Sequence, residues 1–87
     1  MKKFRILWYQ KSTAMLPTRN ARLIITDKEY IIKTFIITVA RYEIEKTLVS
    51  KISFISKGIN LDDGEREINL FFPPKTADKI YDLLKLK

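Results

Sequence analysis

The stretch Glu67-Ile68-Asn69-Leu70-Phe71-Phe72-Pro73-Pro74-Lys75-Thr76-Ala77-Asp78-Lys79-Ile80-Tyr81-Asp82-Leu83-Leu84 holds a change of period. Before the Pro-Pro pair, apolar residues recur every second position, the signature of strands lying half in a core. After it, Ala77, Ile80, Tyr81 and Leu84 fall at i, i+3, i+4 and i+7, while Asp78, Lys79, Asp82 and Lys85 take the other side. Pro74 can occupy the first helical position, where its missing N–H costs nothing. Lys85 and Lys87 suit the negative end of a helix dipole. The spacing predicts a terminal helix over residues 75–87 and strands before it.

Working outward, residues 4–10 alternate Phe4, Ile6 and Trp8 against Arg5, Leu7 and Tyr9. Residues 11–20 are polar around Met15-Leu16-Pro17 and read as a loop. Residues 22–26 and 30–37 are rich in Ile and Thr, and Asp27-Lys28 between them has the chemistry of a hairpin turn. Residues 39–45 and 48–56 continue the strand pattern, with Tyr42 and Ile44 opposite Arg41, Glu43 and Glu45 in the first. Leu48, Ile52 and Phe54 are in phase in the second. Residues 59–61 and 67–72 flank Asp62-Asp63-Gly64-Glu65, a strong short hairpin signal. The pattern predicts about seven strands and no repeat, low-complexity tract or linker.

A chain of 87 residues has room for one domain with one modest core. It contains no cysteine and no histidine, which removes disulfides, thiolate nucleophiles, the commonest general base and the commonest transition-metal ligand. Ser12, Thr13, Ser50 and Ser53 therefore lack a histidine partner, and there is no Gly-rich phosphate loop. We expect no enzyme, no cofactor and no metal. The run Asp62-Asp63-Gly64-Glu65 lacks the alternating ligand layout of a calcium loop. The apolar stretch after the basic start Met1-Lys2-Lys3-Phe4-Arg5 is too short for a signal peptide, and residues 30–40 are too few to span a bilayer. The expectation is a soluble, cytoplasmic protein that could sit peripherally at a membrane.

The formal net charge is +7, and residues 1–33 carry eight Lys or Arg against two acids, which is +6 of it. A basic face is expected if the first strands lie together.

The order of elements resembles the pleckstrin-homology-like superfold, closest to bacterial PH-like and GRAM-type domains. The resemblance is carried by Arg22-Leu23-Ile24-Ile25-Thr26-Asp27-Lys28-Glu29-Tyr30-Ile31-Ile32-Lys33, similar to a family hairpin of the form Leu-x-Leu-Thr-Asp-x-x-Leu-Ile. It is carried also by the strand–step–strand run over residues 42–54 and by the terminal helix. It covers nearly the whole chain through hydrophobic patterns. Many eukaryotic members have a tryptophan in the last helix, where this chain offers Tyr81, and many have glycine where Ala21 or Arg22 stands. The resemblance implies a mainly β fold: seven antiparallel strands in a barrel or two-sheet sandwich, closed by one C-terminal α-helix.

It also implies where an anion would bind. PH domains that hold phosphoinositides use Lys and Arg of the first strand–loop–second strand unit, because clustered phosphates need several cationic donors. Lys11, Arg19 and Arg22 sit in that unit, with Lys28 and Lys33 nearby in sequence. The acidic turn at residues 62–65 is expected near the same end, where it would oppose a phosphate. Met15-Leu16-Pro17 could form an apolar loop tip beside these cations.

Two further partners stay open. Phe4, Trp8, Tyr9 and Tyr30 among basic residues could stack nucleic-acid bases. Ile31, Ile32, Phe35, Ile36, Ile37 and Val39 make the central strands apolar on both faces, which favours a protein partner or self-association. A binding or assembly module acting on a protein partner or an anionic membrane surface is the leading reading, and nucleic-acid binding the alternative.

Overall fold

The computed structural model describes residues 1–12, 18–53 and 55–86. Among these residues seven strands precede one helix: β1 (Lys2–Lys11), β2 (Thr18–Ile25), β3 (Glu29–Thr34), β4 (Thr38–Glu43), β5 (Leu48–Ser53), β6 (Lys57–Asp62), β7 (Glu67–Phe71) and α1 (Pro74–Leu84). A short 3-10 turn, Ile44–Lys46, joins β4 to β5. All pairings are antiparallel and run β4-β3-β2-β1-β7-β6-β5 in one continuous sheet. β1 is the hinge of this order, because it pairs with β2 along most of its length and with β7 through Trp8–Lys11. The edge strands β4 and β5 are not paired to each other, so the sheet is not closed by hydrogen bonds.

Period-two alternation builds one core from both halves of that sheet. Ile6, Ala21, Leu23, Tyr30, Ile32, Ala40 and Tyr42 come from β1–β4, and Ile59, Leu61, Ile68 and Leu70 from β6 and β7. Phe72 follows, and α1 adds Ala77, Ile80 and Tyr81. For residues from distant strands to share one cluster the sheet must curl strongly, which its twist permits. Each fully buried Ile or Leu contributes about 1.5–3 kcal/mol. Among the described residues no buried side-chain nitrogen or oxygen lacks a hydrogen-bond partner.

α1 begins with Pro74 at its first position, as its sequence predicts, and ends earlier than residue 87. Its last turn closes with Lys85 in the left-handed region (φ 57°), and the Leu86 N–H donates to the Tyr81 carbonyl at 2.8 Å. This is the backbone closure that usually carries glycine. The Tyr81 hydroxyl lies 2.7 Å from the Ile52 carbonyl oxygen and 2.9 Å from that of Gly58, so its one proton is shared between β5 and β6. Lys57 reaches Asp78 at 3.1 Å.

Three local features depart from the simple alternation. In β1 both Ile6 and Tyr9 are buried, so the strand changes face between them. On the facing strand β2, Asn20 lies between Arg19 and Ala21, has φ 64°, and the pairing to β1 is interrupted there. Trp8 therefore faces outward and Tyr9 inward, the reverse of the simple pattern. Between β3 and β4 the register slips at Ile32/Lys33, leaving Val39 of β4 as the extra residue of a bulge. Finally, β3 stops at Thr34, and Phe35, Ile36 and Ile37 form the turn to β4 rather than the end of a strand. The apolar excess expected on the strand faces is concentrated in that turn. β4 likewise ends at Glu43, so Ile44 and Glu45 belong to the 3-10 turn. Phe54 and Met15-Leu16-Pro17 lie outside the described residues.

Candidate functional site

Residues directly opposite on neighbouring antiparallel strands project from the same face. Arg5 stands opposite Arg22, and Arg22 opposite Lys33. All three are exposed, on the face of β1–β3 away from the core. Three cations thus cross three strands in one row. None of them makes an ion pair among the described residues. Like charges placed directly opposite destabilise a sheet, so nothing in the packing calls for this row.

The next row along the same face is Lys3, Ile24, Ile31 and Arg41. Ile24 and Ile31 are half-buried there, and Arg41 is paired with Glu29 at 3.2 Å. In the other direction, Arg19 stands opposite Trp8, and Trp8 opposite Phe71. The Trp8 and Phe71 rings stack with centroids 3.8 Å apart and planes 14° from parallel. Phe71 lies over Gly58, which has no side chain to displace it.

Of the five sequence-predicted cations, the fold brings Arg22 and Lys33 into direct opposition and leaves Arg19 on the same face beside Trp8. It does not bring the other two there. Lys11 stands opposite core residue Ile68, because β1 has changed face before reaching it. It lines a small cleft with Ser12, Tyr42, Glu65, Arg66 and Glu67. Lys28 occupies the β2–β3 turn at the other end of the hairpin, where its carbonyl accepts the Ile44 N–H at 2.9 Å. Its surroundings are acidic: Asp27, Glu29, Glu43 and Glu45 line the cleft beside it. Arg5, which was not among the five, stands in the row beside Arg22.

The acidic run at residues 62–65 is a turn, with Gly64 at φ 90°. The Asp62 carboxylate accepts the Gly64 N–H at 2.8 Å, and that of Asp63 accepts those of Glu65 (3.0 Å) and Arg66 (2.7 Å). Those amide bonds, from Arg66 first, hold the Asp63 carboxyl below the usual aspartate range. The Arg66 guanidinium lies 4.9 Å from the Tyr42 ring centre and donates to the Arg41 carbonyl at 2.6 Å, joining this turn to the edge strand β4. Burial pushes the Tyr42 phenol up, with the nearby Arg66 charge pulling the other way.

Among the described residues no cluster of three or more Asp or Glu is placed to hold a metal ion, and no helix is long and apolar enough to cross a membrane. Comparison of the chain with protein-family models, with curated proteins and with solved structures gives no significant match.

Proposed function

We propose that the chain is a non-enzymatic binding module of PH-like type, recruited to an anionic membrane surface through the outer face of β1–β3. The observation that carries this reading is the unpaired row Arg5–Arg22–Lys33. A row of exposed cations that makes no ion pair among the described residues suits a surface of many phosphates, since no acid paired with it must be displaced. In this reading the curled seven-stranded sheet is a PH-like barrel whose two halves meet at β1, with α1 covering one opening. The strand order, the single shared core and the placement of Tyr81 against β5 and β6 support it.

Co-sedimentation with vesicles tests the proposal. Phosphatidylcholine vesicles carrying phosphatidylserine should capture the protein at low salt, and vesicles of phosphatidylcholine alone should not. Screening shortens the reach of these charges to about 8 Å at physiological ionic strength, so capture should weaken as salt rises. Equal capture by both vesicle types would contradict the reading.

Nucleic-acid binding is the second reading, and one observation favours it: the outward Trp8–Phe71 stack next to Arg19. A base could stack on such a pair with the guanidinium on its phosphate. Gel shift with single-stranded oligonucleotides separates the two, since a membrane module should show only weak retention that fades as salt rises and does not depend on Trp8.

A further inference from the structure

Phe35, Ile36 and Ile37 are consecutive and are 90%, 85% and 60% exposed. They form the turn between β3 and β4, so they project from the end of a hairpin instead of lining a groove. Turns of this kind are usually built from Gly, Pro, Asn, Asp or Ser, because those residues suit the backbone and water. None of the three fits that rule, and none joins the core. Thr34 supplies the hydrogen bonds that close the turn. Its N–H donates to the Ile37 carbonyl at 2.8 Å, and its hydroxyl oxygen accepts the N–H groups of Ile36 (3.4 Å) and Ile37 (3.1 Å).

We propose that this turn is an apolar anchor that enters the boundary between headgroups and acyl chains of an anionic membrane. Hydrocarbon demands that backbone polar groups be satisfied within the chain, and Thr34 satisfies the amides of Ile36 and Ile37 in place of water. The choice of a lipid surface over a protein partner rests on charge complementarity. Lys33 is two residues before Phe35, Arg22 is opposite Lys33, and Arg5 is opposite Arg22. The apolar tip and the cationic row therefore belong to one hairpin and its neighbour, which is the pairing that anionic lipids recognise. The acids of β3 and β4, Glu29 and Glu43, face each other at the far end of the hairpin. At about 3.3 Å per residue they stand roughly 16 Å from Thr34, so insertion of the tip turns them away from the membrane.

The inference rests on the membrane reading above, and its test separates the two. Trp8 is the only tryptophan, so a Trp8→Phe/Phe35→Trp variant carries its reporter at the tip. On phosphatidylserine-containing vesicles its emission should shift to the blue and be quenched by lipids brominated on the acyl chains. A Phe35→Ser/Ile36→Asn variant should fold, because neither position has positive φ. It should lose at least tenfold in vesicle affinity and all binding that survives high salt. Capture by anionic vesicles with an unquenched reporter, or an unchanged affinity of the Phe35→Ser/Ile36→Asn variant, overturns the anchor and leaves the cationic row standing. Absence of any vesicle capture, or tip-dependent association with oligonucleotides instead, overturns both.

Discussion

The Tyr81 hydroxyl meets the Gly58 carbonyl at 2.9 Å, so the terminal helix is fastened to β6 at the one strand residue with no side chain. Gly58 is buried under the Phe71 ring, and a β-carbon there would overlap the Leu70 carbonyl oxygen of β7. The helix, the β6–β7 ladder and the Trp8–Phe71 stack therefore share one point of support. Gly58→Ala should unfold the protein or shift its thermal transition by more than any surface change. Tyr81→Phe keeps the ring but leaves two carbonyls without the hydroxyl, at a cost of about 1–2 kcal/mol. In a domain of this size that lowers Tm by roughly 5–15 °C, which circular dichroism would read directly.

Burial raises the phenol pKa values of Tyr30, Tyr42 and Tyr81 above the ordinary value of 10.0. A folded-state pKa above the unfolded one means the native state holds its proton more tightly. The stabilisation is therefore complete below about pH 10 and is lost as pH rises through the folded values. Phenolate absorbance should lag behind that of a denatured control and then rise together with loss of the circular-dichroism signal. A tyrosine titration identical to that of the denatured control would show these rings to be accessible.

Asp63 gives the opposite limb. Its carboxyl is held low by the Arg66 and Glu65 amides, so its contribution is present above the unfolded aspartate range and is lost as pH falls through its own lowered value. Asp63→Asn should lower stability near neutral pH and flatten the acid limb of a stability–pH curve. An acid limb as steep as that of the parent would place the acid-sensitive group elsewhere.

Much of this fold follows from patterns that act locally. The Pro-Pro entry to α1, the Asp27-Lys28 turn and the Asp62–Glu65 turn are set by the residues themselves. A turn centred between Asp27 and Lys28 also puts Arg22 opposite Lys33, so two of the row's three cations were implicit in the hairpin. Arg5 was not, because the long connection between β1 and β2 leaves the register of that pair undetermined by local chemistry. The face change between Ile6 and Tyr9 was equally hidden. It depends on the left-handed Asn20 of the neighbouring strand and on β1 switching partners from β2 to β7. That change moved Trp8 outward and Lys11 away from the row. Phe35-Ile36-Ile37 looked like strand because apolar β-branched runs ordinarily are; only Thr34, by capping its own turn, makes them a tip.

A site kept for a partner at the expense of the sheet should be improvable in isolation. Arg22→Glu would place an acid between Arg5 and Lys33 and turn two repulsions into two attractions. Each opposite-charge cross-strand pair is worth about 0.2–1 kcal/mol, so the variant should melt a few degrees higher at low salt and lose the gain at high salt. The same variant should bind anionic vesicles more weakly. A variant both less stable and unchanged in binding would remove the reason to see the row as functional.

The most direct measurement compares two variants of equal charge on anionic vesicles. One is Arg5→Gln/Arg22→Gln/Lys33→Gln, which clears the row. The other is Lys75→Gln/Lys79→Gln/Lys85→Asn, which removes three exposed cations from α1 and its C-terminal cap. Each basic residue near an anionic surface contributes about 1 kcal/mol, so clearing the row should weaken binding by roughly two orders of magnitude. The helix variant should stay within a few-fold of the parent. Equal losses in the two variants would mean that net charge alone draws the protein to the surface, and the row Arg5–Arg22–Lys33 would not be its binding face.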